Sequence, residues 1–279
     1  MNNPASDSSD TVRANIAVHS AMAQTYNERE PHFRPENRNA VRRVLSELAE
    51  QTGAGNLIDI GCGTGFILSL AHDLFAEVHG VDVTPAMMER VDLSPGNIHL
   101  TESRCERLPF DDGSFSVGTA YSVLDHLEDY QAALSEVCRV LVKGGMFYAD
   151  LLPNRAFWSA VHESSVDSAS RAPWLDREVQ MYLRQQELVE ADYGVDRELF
   201  IAAEPWKKPT RGIATEELRA AGMAAGFSEV HVTLQWYLGQ GDVLHGEGAE
   251  AADQIRRYLD RAAPLTAHLF KYLRVIMRK

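Results

Sequence analysis

The chain has 279 residues, of which 45% are hydrophobic and 24% are charged, and this composition is ordinary for a globular protein. Its 27 Lys and Arg residues against 40 Asp and Glu residues give a net charge of −13. This charge argues against a general nucleic-acid binder, because phosphate binding needs a basic field. The three cysteines, Cys62, Cys105 and Cys138, contain no CxxC pair, so we expect neither a disulfide framework nor a structural metal site.

The first ten residues, MNNPASDSSD, are polar and predict a disordered tail. They have neither the basic start nor the apolar core of a secretory signal. No apolar run approaches the ~20 residues that a membrane-spanning helix needs. Together with the low cysteine content, this predicts a soluble cytoplasmic protein that does not associate with membranes.

The first predicted elements are two helices, one strand and a glycine-rich turn. Residues 11–30 suggest a single helix, and apolar residues from Val41 to Leu48 recur at the spacing of one helical face. The segment 56–61, NLIDIG, reads as a short buried strand. The turn GCGTG follows it and opens into a helix predicted at about 65–75.

Strands and helices then alternate along the chain. The next strands are predicted at 77–83, 97–102, 115–121 and 146–152, with helices between them. This rhythm implies βαβ units, a mainly parallel sheet and helices on both of its faces.

Residues 153–214 interrupt the alternation and contain Trp158, Trp174 and Trp206. About 60 residues without strand character predict an inserted helical subdomain that acts as a lid, since bare loops of that length are uncommon. After it, residues 215–279 read as helix, strand, helix and strand, with the strands at 231–238 and 268–277.

The segment 57–67, LIDIGCGTGFI, carries the chemistry. Glycines permit positive φ and let a ligand approach the backbone, and this crevice of an open α/β sheet is where ligands bind. A phosphate loop would need Lys and then Ser or Thr after the last glycine, but Phe66 and Ile67 stand there. A dinucleotide fingerprint would need its third glycine at 66. A dinucleotide site and a purely structural turn remain as alternatives to a different nucleoside cofactor.

The sequence resembles the class I, Rossmann-like S-adenosylmethionine-dependent methyltransferases, especially the small-molecule group. The features that resemble the family, in order, are Asp59-Ile60-Gly61-Cys62-Gly63-Thr64-Gly65, the acidic Asp82 21 residues after Gly61, CERLPF at 105–110, VLDHLEDY at 123–130 and RVLVKGG at 139–145. The resemblance covers residues 40–152 well and 215–279 loosely. It implies a doubly wound, seven-stranded, mainly parallel α/β sheet with an antiparallel final strand.

The resemblance also implies roles for individual residues. Gly61, Gly63 and Gly65 would line the methionine and ribose portion of S-adenosylmethionine, and Asp59 would help to orient its ammonium group. Asp82 would hold the ribose hydroxyls, and Val83 would pack on the adenine. Cys105 and Glu106 would border the adenine edge, and Tyr121 would lie beside the methionine. Tyr26, in the segment before the core, would contribute a ring from an N-terminal cap.

One position departs from the family pattern. Arg104 stands where the family often has the Asp that contacts the adenine amino group, and an arginine cannot accept a hydrogen bond. Glu106 or a backbone carbonyl would then take over that contact.

Further candidates have an ordinary structural interpretation beside the functional one. They are His32 and His126 near the expected site, the cluster Arg34, Arg38, Arg42 and Arg43, the three tryptophans, Cys62, and the possible bases His162, Glu190 and Asp192. No catalytic residue is assigned.

The sequence therefore predicts a tail at 1–10, an N-terminal cap and cofactor-binding core at 11–152, a substrate lid at 153–214 and the rest of the core sheet at 215–279. We expect a monomeric or homodimeric enzyme that transfers a methyl group from S-adenosylmethionine to an O, N or C atom of a small organic molecule. An RNA or protein acceptor, and a cofactor-binding module without transferase activity, are the alternatives.

Overall fold

The structure is a computed structural model and describes residues 9–166, 173–204 and 212–279. Most of the predicted N-terminal tail lies outside the described residues, and the first helix begins at Asp10. Within the described ranges, no helix combines the length and apolar character that a bilayer span requires.

A seven-stranded sheet forms the centre of the molecule, in the order β3-β2-β1-β4-β5-β7-β6. The strands are β1 (Leu57–Ile60), β2 (Val78–Asp82), β3 (Ile98–Glu102), β4 (Phe115–Tyr121), β5 (Leu141–Pro153), β6 (Glu229–Tyr237) and β7 (Phe270–Arg278). Strands β1 to β5 pair in parallel, and β7 runs antiparallel between β5 and β6. The predicted mainly parallel, doubly wound sheet is confirmed.

Helices cover both faces of this sheet. They are α1 (Asp10–Met22), α2 (Tyr26–Arg29), α3 (Pro35–Thr52), α4 (Leu68–Ala71), α5 (Pro85–Met88), α6 (Tyr130–Val140), α7 (Arg155–Val166), α8 (Pro173–Tyr193), α9 (Arg197–Ala203), α10 (Thr215–Ala225), α11 (Gln240–Gly246) and α12 (Ala249–Arg261). Side chains of successive strand residues point to opposite faces, so Leu57 packs in the cluster with α3 while Ile58 packs in the cluster with α6 and α10.

Two helix predictions were wrong in extent. The helix expected at about 65–75 has α-helical structure only at Leu68–Ala71. Gly65 has a φ of +87°, which a right-handed helix cannot contain, so the turn takes up residues that the pattern assigned to the helix. The single helix suggested for 11–30 is broken after Met22 into α1 and the short α2.

The segment between β5 and β6 is helical where it is described. Its helix α9 packs against α1 through a buried apolar cluster. The buried members of that cluster are Ala14, Val18, Met22, Val195, Phe200 and Ala203. The first helix of the chain and the inserted helices therefore form one continuous cover beside the sheet.

The two described tryptophans of this segment, Trp158 and Trp174, lie in different surroundings. Trp158 packs with Phe157, Val161 and Val179 inside the helical segment, and Trp174 is exposed. Trp206 lies outside the described residues.

A buried ion pair joins β5 to the antiparallel β7. The Asp150 carboxylate accepts hydrogen bonds from Arg274 Nε at 2.8 Å, Tyr148 Oη at 2.6 Å and the Leu151 N–H at 2.8 Å. Asp150 is 2% exposed, so its charge has little water to solvate it.

Removing the cationic partner tests this contribution. We expect Arg274→Met to lower the free energy of unfolding by about 3 kcal/mol, because it leaves the Asp150 charge buried without its counter-ion. Urea denaturation measures the loss. The control Arg257→Met removes an exposed ion pair on α12, with Asp253, and should cost less than about 1 kcal/mol. Equal losses in the two variants would contradict a special role for the buried pair.

Candidate functional site

A cleft opens at the carboxyl ends of β1, β2 and β4, where the strand order reverses between β1 and β4. It encloses about 880 Å³ of empty space, including its open mouth. Ligands of open α/β sheets bind at this kind of reversal point. The residues proposed from the sequence that line it are Tyr26, Gly61, Gly63, Asp82, Val83, Cys105, Glu106 and Tyr121.

The glycine turn forms the floor of the cleft. Gly61 has a φ of +67°, and a Cβ atom on it would lie 2.5 Å from Cγ2 of Val123. Gly63 has a φ of +51°, and a Cβ there would meet only Met87 Cε, at 3.5 Å. A side chain at position 61 would clash with the loop after β4, so this position requires glycine. A side chain at position 63 would instead point into space that a ligand can occupy.

Asp82, the last residue of β2, orients this turn. Its Oδ2 accepts a hydrogen bond from the Gly63 N–H at 2.9 Å, and its Oδ1 accepts one from the Thr84 N–H at 2.8 Å. Each carboxylate oxygen has a second acceptor site, so the group is fixed in direction while it can still accept hydrogen bonds from a ligand.

The end of the cleft beyond Asp82 carries Arg104, Cys105 and Glu106. The Arg104 guanidinium lies 3.4 Å from both carboxylate oxygens of Glu106. This contact fixes the direction of the Glu106 carboxylate. Burial raises the pKa of the Cys105 thiol and of the Cys62 thiol beside it, so both thiols are protonated and packed.

Aromatic rings cover the opposite end. His32 is 7% exposed, and its ring lies 5.7 Å from Tyr26, 4.9 Å from Phe66 and 5.6 Å from Tyr121. Burial lowers the pKa of His32 from 6.5 to about 4, so the ring is neutral at physiological pH. A positively charged ligand would therefore meet polarisable rings without charge repulsion from this histidine.

The N-terminal cap is tied to the cleft at two points. Thr64 Oγ1 donates a hydrogen bond to Asn27 Oδ1 at 2.5 Å, which joins the cap to the glycine turn. Asn15 Nδ2 of α1 donates to the carbonyl oxygen of His126 at 3.1 Å, which joins α1 to the loop after β4. Both contacts keep the cap over the cleft.

Asp59 and Gly65 lie behind this surface rather than on it. Asp59 is 2% exposed and accepts a hydrogen bond from Thr119 Oγ1 at 2.7 Å. Burial raises the pKa of Asp59 to about 8. A Cβ on Gly65 would face Val91, so this glycine serves the packing of the turn.

The remaining candidates fall into two groups. His126 lines the cleft, whereas His162 pairs with Tyr182 at 3.1 Å and Arg42 pairs with Asp73 at 2.7 Å, both away from it. Glu190 is exposed on α8, and the side chain of Asp192 lies outside what the structure describes. Within the described ranges, no group of His, Cys, Asp and Glu side chains could hold a metal ion.

Sequence reasoning missed the part of the cleft that α1 contributes. Val12, Asn15 and His19 all line it and lie on one face of the helix. The spacing of three and four residues places them on one helix face, and this is only a weak signal that the polar Asn15 and His19 face something other than solvent. The packing of α1 against α9 is a contact between distant parts of the chain, and no local pattern predicts it.

Known proteins resemble this chain in its central part. Residues 58–149 match a family described as "Methyltransferase domain". The "Ubiquinone/menaquinone biosynthesis C-methyltransferase UbiE" of Geobacter sp. (strain M21) is 39% identical over an alignment of 113 residues, which covers 37% of this chain and 48% of that protein. The "Demethylmenaquinone methyltransferase" of Staphylococcus aureus (strain JH9) is 35% identical over 111 residues, and this match covers 38% of this chain and 46% of that protein. The chain thus spans about half the length of these curated relatives.

Solved structures share the fold. A structure described as an "S-adenosylmethionine dependent methyltransferase" from Mesorhizobium loti has a TM-score of 0.53 at 18% identity and covers 85% of this chain and 96% of its own. The chain has a Rossmann-like fold, with its cleft at the carboxyl edge of the sheet. Residues 58–149 are therefore similar to a methyltransferase domain.

The clash at Gly61 gives a test of the turn. We expect Gly61→Ala to lower the free energy of unfolding by about 3 kcal/mol, from positive φ and from the contact with the stiff, branched Val123. Gly53→Ala is the matched control, since Gly53 has a φ of +78° with nothing near its Cβ direction, and it should cost about 1 kcal/mol. Urea denaturation compares them. Equal costs would show that Val123 does not constrain the turn.

The lowered pKa of His32 predicts a pH dependence. Between about pH 4 and 6.5 the unfolded chain binds a proton at His32 that the folded protein does not, so stability falls as the pH drops through this window. The loss should approach about 3 kcal/mol at its lower end. The variant His32→Phe keeps a ring in the cluster and should lose this part of the dependence. The measurement is the free energy of unfolding of both proteins across this pH window. Identical slopes against pH for the wild type and His32→Phe would contradict the prediction.

Proposed function

We propose that this protein is a methyltransferase that transfers the methyl group of S-adenosylmethionine to a small organic acceptor. The observation that carries the proposal is the turn between β1 and β2, in which Asp82 fixes a glycine backbone beside an open cleft. The family match of residues 58–149 supports it.

The residues of the cleft suit this cofactor. The Asp82 carboxylate would accept hydrogen bonds from the ribose hydroxyls, and Val83 would pack on the adenine. Glu106, held by Arg104, would accept a hydrogen bond from the adenine amino group, with Cys105 at its edge. Gly61 and Gly63 would lie against the methionine portion, with Gly65 shaping the turn behind them.

The methionine end needs groups that tolerate positive charge. Tyr26 and Tyr121 would present ring faces to the sulfonium, and the neutral His32 adds no opposing charge. Asp59, which lies below the turn, would help to orient the ammonium group of the cofactor. Its raised pKa means that it holds a proton in the absence of a nearby cation, and a bound ammonium group would favour the ionised carboxylate.

When bound, S-adenosylmethionine supplies a methyl group on a positively charged sulfur that a nucleophile can displace. The protein's own contribution would be to position two reactants and to exclude water, which accounts for much of the rate in reactions of this kind. The cap and the inserted helices would serve as the lid. Thr64 and Asn15 supply the hydrogen bonds that hold the cap over the cleft.

A small acceptor agrees with the shape and charge of the site. The cap encloses the cleft, and the carboxylates of Asp82, Glu106 and Glu128 line it together with one guanidinium, that of Arg104. Such a lining does not favour the phosphates of an RNA acceptor. The curated relatives carry quinone methylation in their names, so a reduced naphthoquinone is a reasonable first acceptor to test.

Calorimetry tests cofactor binding. We expect S-adenosylmethionine and S-adenosylhomocysteine to bind, and Asp82→Ala to weaken both by about a hundredfold, since it removes charged acceptors for two hydroxyls. Glu102→Ala is the matched control, because Glu102 is the residue of β3 in register with Asp82 but is exposed and not part of the cleft. It should bind like the wild type.

Other outcomes are equally informative. If neither compound binds, the glycine turn has only a structural role. Affinity for a nicotinamide dinucleotide would indicate a dehydrogenase. Methyl transfer is then measured with radiolabelled cofactor on naphthohydroquinone, catechol and tryptamine, which offer carbon, oxygen and nitrogen acceptors, and on a cell extract. Tight binding without transfer to any of these would favour a cofactor-binding module.

A further inference from the structure

The hydroxyl group of Tyr121 is a polar group of the cleft that the described part of the protein does not satisfy. Tyr121 ends β4 and lines the cleft, and its ring centre lies 4.8 Å from that of Phe66 and 5.6 Å from that of His32. Among the described residues, no group forms a hydrogen bond with its Oη. A partly buried hydroxyl without such a bond costs free energy. A ligand in the cleft is a partner that would remove this cost.

The carboxylate on the neighbouring strand is engaged by other donors. Tyr121 and Asp150 are register partners of β4 and β5, so their side chains leave the sheet on the same face. Oδ2 of Asp150 accepts hydrogen bonds from Tyr148 Oη at 2.6 Å and from Arg274 Nε at 2.8 Å. Its Oδ1 accepts one from the Leu151 N–H at 2.8 Å. Asp150 therefore joins β5 to β7 and leaves the Tyr121 hydroxyl available.

The charges and phenols that act on the Tyr121 hydroxyl come from three segments around it. Burial raises the pKa of Tyr121, and the negative charge of Asp150 raises it further. The positive charge of Arg274 lowers this pKa, and the phenols of Tyr272 and Tyr26 raise it. The hydroxyl thus lies near β5, β7 and the cap. It keeps its proton at neutral pH, so it can donate a hydrogen bond.

The backbone beside this pair of strand ends is strained. Ser122 and Leu151 directly follow Tyr121 and Asp150, and both have a φ of +57°. For residues other than glycine this conformation costs roughly 1–2 kcal/mol each. The Ser122 N–H donates to the carbonyl oxygen of Asp150 at 3.1 Å, which holds the two strand ends in this shape. Such strain clusters at ligand sites, and Ser122 itself lines the cleft.

The charges in this region favour a neutral ligand group. The guanidinium of Arg274 directs Nε and Nη2 at Asp150, at 2.8 and 2.6 Å, so the two charges largely cancel. Farther along the cleft, the carboxylates of Asp82, Glu106 and Glu128 would repel an anion. The partner that suits the Tyr121 hydroxyl is therefore an uncharged oxygen.

We propose that the methyl acceptor lies over the ends of β4, β5 and β7, and that it is an aromatic molecule with a neutral hydroxyl or carbonyl oxygen, to which Tyr121 donates a hydrogen bond. This inference rests on the proposed methyl transfer and names its class of acceptor. The cofactor would occupy the ends of β1, β2 and β4, so Tyr121 stands where the two molecules meet. The rings of Phe66 and His32 beside it suit a flat ring system.

Equilibrium dialysis tests this contact on the protein saturated with S-adenosylhomocysteine. The probes are 2-naphthol and naphthalene, which share one ring system and differ in a hydroxyl group. We expect Tyr121→Phe to weaken the binding of 2-naphthol about tenfold, because it removes one hydrogen bond, and to leave the binding of naphthalene unchanged. The matched control Tyr258→Phe removes an exposed hydroxyl on α12 and should bind both probes like the wild type. The anion 2-naphthoate should bind the wild type more weakly than 2-naphthol.

The cofactor separates this inference from the proposed function. If S-adenosylhomocysteine does not bind the wild-type protein, the proposed function fails, and this inference fails with it. If it binds the wild type and Tyr121→Phe weakens its binding about tenfold, the hydroxyl contacts the cofactor and the inference alone is wrong.

The probes decide the role of the hydroxyl once the cofactor product is bound. Failure of 2-naphthol to bind, or equal affinity of 2-naphthol for the wild type and Tyr121→Phe, would overturn the inference. An equal loss for 2-naphthol and naphthalene would show a structural effect of the substitution instead. Tighter binding of 2-naphthoate than of 2-naphthol would overturn the neutral class of acceptor. For an acceptor that is methylated, Tyr121→Phe should raise the KM for the acceptor about tenfold and leave the KM for the cofactor unchanged.

Discussion

The carboxylate of Asp82 is the contact on which the site depends. It joins the end of β2 to the backbone N–H of Gly63 in the turn after β1, so the glycine turn and the neighbouring strand form one rigid edge. Within the turn, Thr64 adds a side-chain hydrogen bond to Asn27 of the cap. Because Gly61 must also make room for Val123, the loop after β4 is fixed by the same turn. The Asp82 carboxylate and the glycine at position 61 therefore position three segments beside the cleft. These are the end of β2, the turn after β1 and the loop after β4.

Burial sets the charge of the site as well as its shape. Burial lowers the pKa of His32 to about 4 and raises the pKa of Asp59, beneath the turn, to about 8. Both shifts disfavour charge in the empty cleft. A positively charged ligand near Asp59 would favour the ionised carboxylate, and it would meet a neutral His32.

The sequence predicted the central sheet because its signals are local. Short apolar runs, glycines with positive φ and an acidic residue at a strand end each reflect the few residues around them, and the order of strands follows from right-handed crossovers. The helix predicted after the turn was too long. The pattern of apolar residues continues through Gly65, but the positive φ of Gly65 is incompatible with a helix. Asp59 shares the motif with the glycines, yet its side chain points into the core, which spacing along one short strand does not reveal.

The cap could not be predicted in the same way, because its contacts join parts of the chain that are far apart in sequence. Asn15 and His126 are separated by 111 residues, and α1 meets α9 across most of the chain. Within a helix, Asn15 and His19 look like an ordinary polar pair four residues apart. Because α1 lies across the loop after β4, both residues line the cleft. The lining of the cleft therefore depends on the docking of the cap as much as on the glycine turn.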